Sequence, residues 1–223
     1  MKKYETNKLF YNKYAYRLTI CNSLAICFRG KNLSFARQVL DKLQHQYEDK
    51  ESLTFRIGIR LKPVSVTHFK DAKRLLKVFT EMEDYKLRVE RNYISVYAND
   101  PDWINTVKDC IYTSDSLTSL HKPGKGFEHL LDGSTILVDT DNGFQYRVTL
   151  GNKTGSPEFA AWADNNPKLV KLGRVLRREC KNSGWVSGCY FYARDEKTLH
   201  LINLIINNIR RIDKLVVKSD IDK

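Results

Sequence analysis

Apolar and polar residues alternate from Tyr14 to Ile20, a period of two that predicts a strand. After a turn at Gly30, Leu33, Ala36, Leu40, Leu43 and Tyr47 recur at spacings of three and four, which predicts an amphipathic helix. Leu53 to Leu61 alternates again as a strand, and 67–83 reads as a second helix with Phe69, Ala72, Leu76 and Phe79 on its buried stripe. Short strands are predicted at 86–90 and 93–98. Asn99-Asp100-Pro101 then supplies a cap and a first-turn proline for a helix through Trp103, Val107 and Ile111.

The periodicity dissolves over 113–134, a stretch rich in Ser, Thr, Gly and Lys, which reads as a linker. Beyond it, 135–139 and 144–150 read as two strands of a hairpin joined by Asp141-Asn142-Gly143, because Asn-Gly favours a tight turn. Ser156-Pro157 opens a short helix. A strand at 169–172, a helix at 174–181, a strand at 186–193, a helix at 195–208 and a strand at 209–217 follow.

The two halves echo each other. Tyr16-Arg17-Leu18-Thr19-Ile20 returns as Tyr146-Arg147-Val148-Thr149-Leu150, and Tyr97-Ala98-Asn99-Asp100 before a helix returns as Tyr192-Ala193-Arg194-Asp195 before a helix. The expected fold is therefore α+β, with two ferredoxin-like β-α-β-β-α-β units in tandem and antiparallel sheets covered by helices on one face. The first unit spans 1–112 and carries an inserted helix at 67–83. The linker is 113–134, and a basic second unit spans 135–223.

On such a sheet alternate side chains turn away from the helices. With Leu18 and Ile20 inward, Arg17 is outward; with Phe55, Ile57, Ile59 and Leu61 inward, Arg56 and Arg60 are outward; and Arg147 repeats Arg17. Where Ile94, Val96, Cys189, Phe191 and Ala193 are inward, Tyr93, Tyr97, Tyr190, Tyr192 and Arg194 are outward. Arginines interleaved with tyrosines suit a single strand, because guanidinium groups contact phosphates and aromatic faces stack on unpaired bases at about 1–3 kcal/mol each.

Charge points the same way. The net charge is +12, and 168–218 holds twelve basic residues against four acidic ones. Arg174, Arg177, Arg178 and Lys181 share one helical face, as do Lys70, Lys73, Arg74 and Lys77. No apolar stretch approaches the roughly 20 residues that cross a bilayer, and no secretory leader is apparent, so membrane association is not expected and a cytoplasmic location is, that of a host if the chain is viral. Five cysteines without a C-x-x-C pair suggest neither a disulfide framework nor a zinc site.

Catalytic templates match poorly. The histidines lack zinc-protease spacing, no nucleotide-binding glycine pattern appears, and Asp139 to Leu150 misses the calcium-loop pattern at its glycine and its last position. No metal or cofactor is expected. His121 and His129, flanking the basic linker, are the candidate acid–base groups. Gly188 and Phe191, within 186–194, fit the motif of an aromatic strand, and the segment there resembles that of RNA-recognition modules. Paired ferredoxin-like units on a basic chain are also similar to CRISPR repeat-processing endoribonucleases, whose glycine-rich C-terminal loop is absent, so no catalytic residue carries over.

The expected function is binding of single-stranded RNA or DNA without catalysis, as an accessory of viral, phage or mobile-element replication or expression. The alternatives are a metal-independent RNA endonuclease using the same basic surface, and a virion or assembly protein whose tyrosine-rich face joins subunits into a homo-oligomer.

Overall fold

A computed structural model describes residues 1–218. The end of the predicted second unit, 219–223, lies outside the described residues. The protein is a mixed α+β chain with two five-stranded sheets, and it divides into two compact units, Met1–Glu128 and His129 onward.

In the first unit the elements run β1 (Lys2–Thr6), β2 (Tyr16–Cys21), α1 (Leu33–Glu48), β3 (Thr54–Ile57), β4 (Arg60–Pro63), α2 (Val66–Thr80), β5 (Lys86–Glu90), β6 (Tyr93–Ala98), α3 (Pro101–Asp109) and β7 (Leu117–Pro123). The helix starts follow local chemistry. Asn32 and Ser65 accept the Phe35 and His68 N–H groups, and the Asp100 carboxylate accepts those of Asp102 and Trp103 ahead of a proline-first turn. The sheet order is β1-β7-β2-β6-β5. Leu18, Ile20, Ile94 and Val96 turn to the helices and bury against Ala36, Leu40, Phe69 and Phe79 in one core.

In the second unit they run β8 (Thr135–Val138), β9 (Tyr146–Leu150), α4 (Pro157–Asn165), β10 (Val170–Leu172), α5 (Arg174–Lys181), β11 (Tyr190–Ala193), α6 (Glu196–Ile205) and β12 (Ile209–Val217). The sheet order is β10-β11-β9-β12-β8. Val148, Leu150, Phe191 and Ala193 supply the sheet side of its core, and Phe159, Leu176 and Ile202 supply the helix side.

The two orders coincide when β1, β2, β5, β6 and β7 are matched with β8, β9, β10, β11 and β12. Even the register agrees: Arg17 lies opposite Tyr97 as Arg147 lies opposite Tyr192. The units differ in what they insert. The first places the β3–β4 hairpin and α2 between β2 and β5, and the second places α5 between β10 and β11.

Four expectations are corrected. The sheets are not wholly antiparallel, because β1 runs parallel to β7 and β8 parallel to β12. The predicted strand at 53–61 is a separate two-stranded hairpin turning at Gly58 and Ile59, with Gly58 in the left-handed region at φ +58°. Ile59, expected in the core, is 98% exposed at its tip. The predicted linker 113–134 contains β7, which pairs with β1 and β2 in the first sheet, and the boundary falls after Glu128. Finally, β8 and β9 do not form a hairpin. The Asp141 and Asn142 side chains accept the Gly143 and Phe144 N–H groups in the connection, while β8 pairs with β12 far along the chain.

Candidate nucleic-acid interface

Because β2 and β9 alternate strictly, their inward leucine, isoleucine and valine side chains commit Arg17 and Arg147 to the helix-free face. Register then sets their neighbours. Across the first sheet the row reads Lys86, Tyr97, Arg17, His121, Tyr4; across the second it reads Lys171, Tyr192, Arg147, Asp213. Lys–Tyr–Arg thus occurs twice at equivalent positions, and in both copies the arginine Nε is buried without a hydrogen-bond partner.

In the first unit the row is roofed. The chain between β1 and β2 folds back through Tyr11 and Asn12, both at left-handed φ, and closes with paired backbone hydrogen bonds between Phe10 and Tyr14. Phe10 and Tyr11 lie 5.5 and 5.0 Å from the Tyr97 ring, leaving Tyr97 only 3% exposed. Burial raises the pKa of its hydroxyl. Lys86 sits 4.5 Å over Tyr11, and the Arg17 guanidinium 5.1 Å from Phe10. Tyr97 therefore faces outward as expected but does not offer a stacking surface.

His121 is enclosed in the same cluster, stacked on Tyr4 at 4.7 Å and met edge-on by Phe10. Arg17 donates to its Nε2, which places the ring proton on Nδ1. Burial, then the adjacent guanidinium, lowers its pKa from 6.5 to about 4. His121 is thus neutral in the native protein at pH 7 and holds Arg17 in place. As pH falls below 6.5 the unfolded chain takes up a proton that the native ring refuses until near pH 4, so stability should decline across that window and level off below it. His121→Phe should flatten this part of the profile; urea midpoints measured from pH 7 to pH 4 with equal slopes in both proteins would refute the assignment. His129 is exposed in a short turn at the start of the second unit.

The second sheet is exposed beside its row, at Tyr190, which pairs with Thr149 on the same face. Tyr190 is 41% exposed, with the Arg147 guanidinium 3.8 Å over its ring and Tyr192 edge-on at 5.7 Å. Phe144 approaches Tyr192 at 6.3 Å without covering Tyr190. Asp213, where the first unit has His121, is wholly buried and paired with Arg211, whose guanidinium also donates to the Gly133 carbonyl.

The remaining predicted residues are more dispersed. Tyr93 lies on the open face of β6, 44% exposed. Arg56 and Arg60 do not join the sheet: they stand on opposite faces of the β3–β4 hairpin, opposite Leu61 and Ile57. Arg194 follows β11, 3.6 Å from Asp195. On α5, Arg177 and Lys181 both pair with Asp164 of α4, at 3.0 and 2.9 Å, and Arg178 pairs with Glu179. A carboxylate from another helix thus offsets charge that appears unopposed along the α5 sequence, while Arg174 is exposed.

Lys86, Lys171, Tyr4 and Asp213 were not singled out from the sequence. The lysines were reachable by alternation, since Lys171 lies between the inward Val170 and Leu172 and Lys86 precedes the inward Leu87. Among the described residues, no three His, Cys, Asp or Glu side chains gather where they could hold a metal ion, and no helix is long and apolar enough to cross a membrane. No protein-family model, curated protein or solved structure matches this chain.

Proposed function

We propose that the protein binds single-stranded nucleic acid, and that the working surface is the open sheet face of the second unit, with Tyr190 and Tyr192 stacking bases and Arg147 and Lys171 contacting phosphates. The supporting observation is the Lys–Tyr–Arg row on a helix-free face, flanked by the exposed Tyr190 and set in a chain of net charge +12. Each unit is, on this proposal, a ferredoxin-like β-α-β-β-α-β plan extended by a parallel edge strand. The first unit's copy of the row serves structure, its tyrosine and arginine engaged by Phe10, Tyr11 and His121.

The test is fluorescence anisotropy with labelled single-stranded RNA, single-stranded DNA and duplex across a salt series. Tyr190→Ala/Tyr192→Ala should weaken single-strand binding by about tenfold or more, at about 1–3 kcal/mol per lost stack. Lys171→Ala should make the salt dependence shallower by about one phosphate contact. Equal affinity in the wild type and the tyrosine variant would overturn the proposal, as would concentration-dependent self-association that hides these tyrosines.

A further inference from the structure

The parallel edge strand of the first sheet has a consequence on the helix side. α3 packs on β2 and β6, while β7 and β1 carry the sheet two strands beyond β2. Since His121 faces the open side, alternation turns Leu120 and Lys122 to the helix side, and register puts Lys3 beside Leu120. The result is a groove of about 470 Å³, lined by residues of the first unit, with Tyr16, Ile104 and Leu120 among its apolar lining. That volume is within the range of small-ligand sites.

Four lysines converge on this groove from separate parts of the chain: Lys3 from β1, Lys108 from α3, Lys122 from β7 and Lys125 from the loop after it. Among the described residues Glu128 is the one acidic residue in the lining, and its carboxylate accepts the Gly126 N–H at 2.9 Å. Lys108 also reaches Asp109 at 3.5 Å, a surface pair of small worth. Like charges gathered around an apolar floor repel one another and favour an anion at the rim with an apolar body below. Asn105 adds an amide that can donate and accept on the α3 wall.

We propose that this groove binds a phosphorylated nucleoside, with the phosphate among Lys3, Lys122 and Lys125 and the base on Tyr16 and Leu120. The choice of a nucleoside rests on the nucleic-acid function proposed above. The phosphorylated nucleoside can be a free mononucleotide or the terminal nucleotide of a strand.

Calorimetric titration of the full chain with AMP should show saturable binding, weakened about tenfold or more by Lys122→Ala/Lys125→Ala, equivalent to about 1.4 kcal/mol. Adenosine and inorganic phosphate should each bind more weakly than AMP. A preference for a 5′-phosphorylated oligonucleotide over its unphosphorylated form, lost in the lysine variant, would identify a strand end as the source; AMP binding without that preference would identify the free nucleotide. No AMP binding, phosphate binding as tight as that of AMP, or an unchanged affinity in the folded lysine variant would overturn the site. The lysine variant reads this groove and Tyr190→Ala/Tyr192→Ala reads the sheet surface, so failure of the sheet surface and failure of this groove give different results.

Discussion

Exchanging Asp213 for alanine is expected to destabilise the second unit by about 3–5 kcal/mol, the range for removing one partner of a buried ion pair. Asp213 is wholly buried on β12, paired with Arg211 and placed by register opposite Arg147. Without its carboxylate, Arg211 keeps only part of its compensation, and the neighbouring Arg147, whose Nε already lacks a partner, faces a second cation with no anion between them. Asp213→Asn keeps the shape and one acceptor oxygen and should cost less than the alanine variant. Urea midpoints of the three proteins at neutral pH test this; a loss below about 1 kcal/mol for alanine would show that the pair contributes little.

In the first unit the largest effect is expected from Phe79→Ala, about 3–5 kcal/mol. Phe79 is 1% exposed at the centre of an aromatic cluster, edge-on to Phe28 at 5.5 Å, stacked on Tyr85 at 5.4 Å and 6.2 Å from Trp103. Tyr85 donates its hydroxyl proton to the Phe79 carbonyl, so losing the ring also loosens a hydrogen bond inside the core. Phe79→Leu refills most of the volume and should cost clearly less. Chemical denaturation followed by tryptophan emission reads both changes, and an alanine variant as stable as the leucine variant would mean that the site collapses without a cavity.

Much of this architecture is legible locally. The bounds of β5, β6, α5 and β12 follow from alternation, caps and helical spacing, and the repeated Tyr-Arg dipeptide marks equivalent strands whose pairing partners also correspond. Long-range choices are what the pattern conceals. β1 has the sequence Lys-Lys-Tyr-Glu-Thr and is largely exposed, so no hydrophobic alternation announces it; it is a strand because β7 offers an edge. β7 lies in a Ser- and Thr-rich stretch whose polarity resembles a linker, because its open-face residues Ser119 and His121 are polar although Ser119 is buried and His121 half-buried. Asn142-Gly143 carries a strong hairpin signal, yet the flanking strands find other partners, and the actual tight hairpin at Gly58-Ile59 has a weaker one. At the candidate surface, alternation gives the direction of Tyr97 and Tyr190 alike. It cannot say that Phe10 and Tyr11 fold over Tyr97 within the first unit, or that Tyr190 is exposed in the second.

The parallel edge strands also bear on the order in which the protein can be built. β1 leaves the ribosome well before β7, its one neighbour in the sheet among the described residues, which begins at Leu117; β8 likewise waits for β12, which begins at Ile209. Each unit is therefore closed by the last strand synthesised, with loop closure over most of its own length, and the nascent chain carries an unpaired leading strand until then. A stalled or truncated chain ending before Leu117 would hold every helix of the first unit and still lack the strand that joins its beginning to the sheet.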